Sequence, residues 1–211
     1  MKKTIFILSI LGILISLGFY VKKKKKNIDY NNIKNGDLIF QISLSEQSKA
    51  IQIATQSKYS HCGIIYKEDN NYFVFEAIQP VTITPLNKWI KRGKDKHYVI
   101  KRLKDADEIL TTETLKKMKQ EGEKFKGKDY DLTFEWNDTR IYCSELIWKI
   151  YQRATNIELG QLQKLSDFDL SHEIVQKKMK ERYGNTIPMN EKVISPAAIF
   201  NSELLITVQS N

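Results

Sequence analysis

Hydrophobic and polar residues alternate along the chain with two different periods, and each period predicts a different kind of element. Two runs rich in β-branched and aromatic residues, 61–66 (HCGIIY) and 72–78 (YFVFEAI), flank the polar residues 67–70, which is typical of a β-hairpin with a four-residue loop. Further extended segments are predicted at 36–42, 81–86, 98–103 and 204–208. Apolar residues at helical spacing predict helices over 45–57, 108–125 and 143–153, with a short turn or helix beginning at 195. Strands grouped between helices indicate an α+β fold class.

The N-terminus has a different pattern, because residues 4–21 (TIFILSILGILISLGFYV) carry no charge. As a helix, these 18 residues would span roughly 27 Å, close to the thickness of a bilayer core. The segment fits an uncleaved membrane anchor, or a signal peptide cleaved near Ser16-Leu17-Gly18. A buried core helix is disfavoured because the segment is apolar on every face. We therefore expect an N-terminal apolar helix and a membrane-associated or exported protein of the cell envelope.

Lysines flank this segment, two before it at 2–3 and five after it at 22–26. The larger number after the span would keep the rest of the chain in the cytoplasm, whereas export requires the opposite orientation or cleavage, so both orientations stay open. The lysine run could bind anionic lipid headgroups or serve as a solvated spacer. We expect an anchor or signal segment with its lysine run at 1–26, a polar tether at 27–32 and one domain at 33–211.

The formal charge of +9 does not predict a nucleic-acid partner. Residues 1–26 hold seven lysines and no acidic residue, which leaves 27 basic against 25 acidic residues in 27–211. The remainder is nearly neutral and has no basic stripe interleaved with aromatic residues. Two cysteines exclude a disulfide framework and a four-cysteine zinc site. The oligomeric state is not predicted.

Cys143 opens the predicted helix 143–153 and is the candidate nucleophile. Free backbone N–H groups and the partial positive charge of a helix N-terminus stabilise a thiolate. The same N–H groups can hold the oxyanion that forms when a carbonyl is attacked. A cysteine at a helix start is, however, also compatible with an ordinary small buried residue.

A nucleophilic cysteine needs a base, and His61 is the candidate because it opens the first strand of the hairpin. If Tyr66 pairs with Asn71, residues whose numbers sum to 137 face each other, so His61 faces Glu76. A carboxylate there would orient the imidazole and stabilise its protonated form. A slip of one residue would break this pairing. His61 and Glu76 are each also compatible with structural or solvated roles.

Cys62 directly follows His61, and adjacent strand residues point to opposite faces. We therefore expect Cys62 to face away from the site as a core residue without a disulfide bond to Cys143. For the same reason a zinc site built from these three residues is disfavoured, and we expect neither a metal nor an organic cofactor.

The chain resembles the YiiX/YebB-like, NlpC-type permuted papain-fold cysteine hydrolases. The resemblance covers nearly all of residues 33–205 in the expected order of blocks. Its blocks are GDLIF at 36–40, ATQSKYSHCGI at 54–64, EA at 76–77, TPL at 84–86, YD at 130–131, YCSEL at 142–146 and SPA at 195–197. Cys62 departs from the pattern, since an aliphatic residue is expected there.

The resemblance implies a circularly permuted papain-like domain with a central antiparallel sheet or small barrel and a catalytic triad of Cys143, His61 and Glu76. It implies an amidase-like or peptidase-like hydrolase, and some relatives in the wider fold act on lipid esters or amides. We expect an acyl-enzyme mechanism on a cell-wall peptide or a lipid amide, with Tyr142 a candidate oxyanion donor or core residue. Tyr130, Phe134 and Trp136 could line an apolar groove. The alternative is a catalytically silent membrane-associated module that binds an acyl or peptide ligand in the same groove.

Overall fold

A computed structural model describes residues 28–211, which form eight strands and seven α-helices. The strands are β1 (Leu38–Gln41), β2 (His61–Glu68), β3 (Asn71–Glu76), β4 (Thr82–Pro85), β5 (Val99–Leu103), β6 (Gln163–Lys164), β7 (Lys192–Val193) and β8 (Leu205–Ser210). The helices are α1 (Glu46–Ala54), α2 (Leu86–Arg92), α3 (Ala106–Ile109), α4 (Thr112–Glu123), α5 (Cys143–Thr155), α6 (Glu173–Tyr183) and α7 (Pro196–Phe200). Within residues 28–211 every predicted strand and helix is present, although the predicted helix 108–125 is divided into α3 and α4. The elements α2, α6, β6 and β7 were not predicted.

Six strands form one antiparallel sheet in the order β4-β3-β2-β1-β5-β8. The central strand β1 is buried on both faces, which explains its continuous apolar sequence Leu38-Ile39-Phe40. Leu38 and Phe40 belong to the core shared with α4 and α5, whereas Ile39 belongs to a second core shared with α2. The fold is therefore α+β with a central antiparallel sheet, as expected.

The hairpin of β2 and β3 has a tighter turn than the sequence predicted. Glu68 pairs with Asn71, so only Asp69 and Asn70 form the turn, and the paired residue numbers sum to 139 and not to 137. Asp69 has a φ of 52°, a left-handed conformation that aspartate adopts more readily than most residues and that two-residue hairpin turns require. The predicted register is wrong by two residues, which preserves the face on which each side chain lies.

Helix α5 is the central helix of the molecule, and its first nine residues are all buried. It packs on the sheet through Leu146, Ile147 and Ile150. The helix N-cap is Tyr142, whose side chain makes no capping hydrogen bond. By contrast, Ser45 and Thr111 cap α1 and α4 through their hydroxyl groups. The first N–H groups of α5 are consequently not covered by a capping side chain.

A smaller core joins α1 to α6, with Ala50 on α1 facing Val175 and Met179 on α6. In the part of the chain that the structure describes, no helix is long and apolar enough to cross a membrane. The predicted apolar helix at 4–21 lies outside the described residues.

Candidate active site

The structure places the imidazole of His61 against the carboxylate of Glu76, with His61 Nε2 and Glu76 Oε2 2.6 Å apart. In the register found, Glu76 is not directly opposite His61; the two are diagonal neighbours across the hairpin. Gly63 lies beside this contact, and a Cβ added there would come within 3.4 Å of the Glu76 Cβ and far closer to Val74. A side chain at residue 63 would collide with Val74 and press on the strand that carries Glu76.

Glu76 is fully buried and accepts hydrogen bonds from four side chains. Thr84 donates to Oε1 at 2.6 Å, and His61, Trp89 Nε1 (2.8 Å) and Arg92 Nη2 (2.5 Å) donate to Oε2. Burial acts to raise the pKa of this carboxyl, but these partners outweigh it and lower the pKa to about 2. Glu76 is therefore a carboxylate at neutral pH, and the proton in the contact with His61 lies on Nε2.

Trp89 and Arg92 are site residues that the sequence analysis missed because α2 was not predicted. Leu86, Trp89 and Ile90 have helical spacing directly after Pro85, and this signal could have identified the helix. The Trp89 ring stacks on His61 at a centroid distance of 5.8 Å. Helix α2 therefore restrains both the imidazole and the carboxylate of the candidate site.

Cys143 lies at the first position of α5 and is buried. Its thiol contacts Cys62 and His61. The hydrogen bond from Cys62, and then the one from His61, hold the pKa of Cys143 well below its usual range. Burial acts in the opposite direction but is outweighed. For His61, burial alone would lower the pKa, but hydrogen bonds to Cys143 and Glu76 raise it to about 9. The two shifts favour a thiolate–imidazolium pair.

Cys62 corrects one sequence expectation. It is a buried core residue and a free thiol, as expected, but it faces the thiol of Cys143 and not away from the site. The Cys62 side chain lies on the α5 face of the sheet. His61 is the first residue of β2 and contacts Cys143 from the end of that strand. Burial, and then the neighbouring Cys143, raise the pKa of Cys62 well above its usual value. Cys62 thus remains a protonated donor.

Tyr142 is buried, and its hydroxyl accepts a hydrogen bond from the backbone N–H of Ile194 at 3.0 Å. Its ring packs edge-on against Phe134. Both observations describe a core residue at the helix N-cap, and an oxyanion role for Tyr142 stays a prediction. The other histidines lie elsewhere: His97 bonds the backbone of Asn211, and His172 caps α6.

Tyr130 is a second tyrosine near Cys143; its side chain is partly buried, and its hydroxyl accepts a hydrogen bond from Gln47 Nε2 at 3.3 Å. Burial, and then the charge of Cys143, raise the pKa of Tyr130 well above its usual value, so the hydroxyl keeps its proton. Because Gln47 donates to this oxygen, the hydroxyl proton is available to another acceptor.

An apolar cavity leads to Cys143; the space within it, counted together with its solvent-open mouth, is about 720 Å³. Its walls come from α1, α6, the segment between β6 and α6, and the residues from β7 to the start of α7, with side chains such as Ile51, Leu170 and Met179. Tyr130 and Phe134 line it, as the sequence analysis anticipated. Trp136 does not, because it packs against Trp148 at a centroid distance of 5.2 Å. Helix α6 forms one wall and was not foreseen.

The chain matches the family model of the permuted papain-like amidase enzymes, described as YaeF/YiiX, C92 family, over residues 32–209. The chain belongs to this family. It is 47% identical over 175 residues to the uncharacterized protein YiiX of Escherichia coli K12, covering 83% of this chain and 85% of that protein. The crystal structure of YiiX from Escherichia coli O157:H7 superposes with a TM-score of 0.81, at 47% identity, over 85% of this chain and 98% of that one.

Membership confirms the permuted papain-like fold and makes the protein an enzyme, a hydrolase of the cysteine peptidase-like or amidase kind. The solved relative is titled a metalloprotein. Within residues 28–211 of this chain, no group of three or more His, Cys, Asp or Glu side chains is arranged to hold a metal ion. The imidazole of His61 is already engaged by Glu76 and Cys143, so the candidate site does not fit a metal.

Proposed function

We propose that the protein is a cysteine amidase with the triad Cys143, His61 and Glu76, and that its substrate is a lipid amide whose acyl chain occupies the apolar cavity. The observation that supports this best is that the thiol of Cys143 lies in the wall of that cavity. A fatty acyl chain gains free energy by leaving water for such a surface, about 0.8 kcal/mol for each buried CH₂ group. A cell-wall peptide, with a polar backbone at every residue, would find few partners there.

In the proposed reaction, the Cys143 thiolate attacks the carbonyl carbon of the amide. The oxyanion forms beside the uncapped N-terminus of α5, where backbone N–H groups and the hydroxyl of Tyr130 can donate to it. The imidazolium of His61 gives its proton to the amine as the C–N bond breaks. Glu76 keeps the proton of Nε2 in place, so that the other ring nitrogen serves as acid and base.

A water molecule then attacks the thioester, and His61 takes its proton. The C–S bond breaks, which releases the carboxylic acid and restores the thiolate and the imidazolium. The sum is the hydrolysis of one amide to an acid and an amine.

The test uses N-dodecanoyl amides and a cell-wall-type stem peptide as competing substrates. We expect hydrolysis of the acyl amides with kcat/KM rising with chain length, and a transient acyl adduct on Cys143 by intact-protein mass spectrometry. Hydrolysis of the peptide in preference to the acyl amides would overturn the lipid assignment. Binding of the acyl ligand without turnover, in a protein whose Cys143 is not acylated, would instead support the silent binding module.

We further propose that residues 4–21 hold the enzyme at the membrane that contains its substrate. The support is the uncharged sequence and its flanking lysines. The full chain should sediment with membranes after an alkaline wash, and the double substitution Leu11→Asp, Leu14→Asp should release it or block its export. Unchanged membrane association of that variant would contradict the proposal.

A further inference from the structure

Arg182 lies in the wall of the apolar cavity. Its positive charge has no carboxylate partner among residues 28–211. Its guanidinium donates from Nη2 to Gln47 Oε1 at 2.7 Å and lies over the ring of Phe134, with its central carbon 5.1 Å from the ring centroid. Within residues 28–211 no carboxylate forms an ion pair with it, and Gln47 is its one hydrogen-bond partner. Arg182 is half-buried, and the one side-chain hydrogen bond to Gln47 leaves other N–H donors of the guanidinium free to bind a ligand.

The nearest acidic groups are committed to other partners. Glu181 bonds Lys178 at 2.7 Å, and the carboxylate of Asp131 accepts from Thr133 and from the backbone N–H of Glu135. Lys178, which also lines the cavity, is therefore already neutralised. Glu181 and Asp131 are near enough to act on the charge of Arg182, but among residues 28–211 neither they nor another carboxylate lies at ion-pair distance from its guanidinium.

Arg182 is also held on the same side of the cavity as the reacting groups. Gln47 bonds Arg182 through its oxygen and Tyr130 through its nitrogen, and Tyr130 is close enough to Cys143 for the two groups to affect each other's charge. The flat contact with Phe134 orients the guanidinium. A ligand group bound by Arg182 would thus lie near the amide under attack.

We propose that Arg182 binds an anionic group, a carboxylate or a phosphate, on the amine portion of the substrate. The inference rests on the proposed function, since the acyl portion is apolar and the charge must then belong to the other half of the amide. The free N–H groups of a guanidinium suit the paired oxygens of either anion. The substrate class becomes an acylated amino acid or an acylated amino phosphate, and Arg182 is a specificity residue that acts by binding.

The test compares two anionic compounds with their neutral counterparts. N-dodecanoylglycine is paired with N-dodecanoylglycinamide, and N-dodecanoyl-O-phosphoethanolamine with N-dodecanoylethanolamine. Each is offered to the full chain and to the variants Arg182→Gln, Arg182→Lys and Lys180→Gln. Lys180 is exposed on the same helix, so its substitution changes the charge of α6 by the same amount without touching the cavity.

We expect the unmodified enzyme to prefer the anionic member of at least one pair by about 10- to 100-fold in kcat/KM, the size expected for a hydrogen bond between charged groups. Arg182→Gln should lower kcat/KM for the anionic compounds, mainly through KM, much more than for the neutral ones, while Arg182→Lys keeps part of the preference. Lys180→Gln should change neither. The pair that shows the Arg182-dependent preference identifies the anion as a carboxylate or a phosphate.

Equal losses on neutral and anionic compounds in Arg182→Gln would show that Arg182 only supports the structure and would overturn the proposal. So would the absence of any anionic preference in the unmodified enzyme. If no compound is hydrolysed, the proposed amidase function is refuted while the anion site is still open to test. Calorimetry then measures the binding of the same compounds to the parent protein and to Arg182→Gln. Anion selectivity that Arg182→Gln abolishes would support the anion site, and equal binding of both members of each pair would refute it.

Discussion

Glu76 and Glu145 are both fully buried, one on the sheet side of the candidate site and the other on its helix side, yet their environments are opposite. Glu76 accepts hydrogen bonds from four side chains, and its pKa falls to about 2. Glu145 faces the single ammonium of Lys149 at 2.6 Å, and burial outweighs that partner and raises its pKa to about 8. Burial is similar in the two places, so the number of donors decides which glutamate is ionised.

The two glutamates therefore have different electrostatic effects on the sheet side and the helix side of the candidate site. The sheet side holds a permanent negative charge that can stabilise the imidazolium of His61. The helix side keeps a mostly neutral carboxyl at neutral pH two residues after Cys143, which spares the thiolate a second negative charge at the start of α5. Lys149 retains Asp138 at 2.9 Å and the carbonyl of Asn137 at 2.7 Å as partners when Glu145 is protonated.

The largest effect is expected from removing the nucleophile that lies between the two glutamates. Cys143→Ala should lower kcat by about 10⁴-fold or more, because no other group can form the acyl intermediate. The hydrogen bonds to Glu76 should survive, so the thermal unfolding midpoint should stay close to that of the parent. Turnover assays and calorimetry check both points, and retained activity would refute the nucleophile assignment.

The two glutamates themselves should differ in activity. Glu76→Gln should lower kcat by about 10²-fold, the size of a general acid–base contribution, because an amide cannot hold the imidazolium. Glu145→Gln should leave kcat nearly unchanged, since it mimics the protonated carboxyl. Similar losses in both variants would mean that the comparison is wrong.

Their effects on stability should have opposite pH dependence. The low pKa of Glu76 gives stability that is present above the ordinary carboxyl pKa and lost as pH falls towards 2. The raised pKa of Glu145 means that the folded state loses stability as pH rises from about 4.5 through 8. Unfolding curves at several pH values measure both effects. Glu145→Gln should reduce the loss of unfolding free energy between about pH 4.5 and 8, and Glu76→Gln should reduce the loss at acid pH.

A smaller effect is expected from Arg92, which shares Glu76 Oε2 with His61. Arg92→Gln should lower kcat/KM by about three- to tenfold, the loss expected for one hydrogen bond to a charged group at a partly exposed site. Without the arginine charge, Glu76 attracts the imidazolium more strongly. The alkaline limb of the pH profile, set by the His61 pKa of about 9, should move upwards. A limb that stays in place would exclude this coupling.

The smallest effect should come from Cys62→Val, which removes a donor to Cys143 and keeps a similar volume. The Cys143 pKa should rise, so iodoacetamide should label Cys143 more slowly in the variant at acidic pH, and the two rates should converge at alkaline pH. Peptide mass mapping measures the labelling. Identical profiles in parent and variant would mean that Cys62 does not act on the nucleophile.

The sequence analysis predicted the contact between His61 and Glu76 from a hairpin register that is wrong. The hairpin register is off by two residues, and His61 still meets Glu76 because side chains alternate with a period of two. The same alternation led to a wrong prediction for Cys62, which was expected to face away from Cys143 but contacts it. Alternation assigns side chains to the two faces of a strand. His61 is the first residue of β2, and at the end of a strand a side chain can extend past the sheet towards the other face. The motif-bearing helix α5 was placed to within two residues because its apolar stripe is continuous.

The local pattern of residues determined the antiparallel hairpin, the start of α5 at Cys143 and the family to which the chain belongs, because short-range periodicity and ordered motifs are properties of the chain itself. The ionisation of Glu76, the contact of Cys62 with Cys143, the apolar cavity and the position of Arg182 in its wall depend on which segments of the chain meet. Helix α2 supplies Trp89 and Arg92 to Glu76, and α6 supplies Arg182 and part of the cavity wall. A pKa or a cavity is set by every group within a few ångströms, and that set exists only once the tertiary structure has formed.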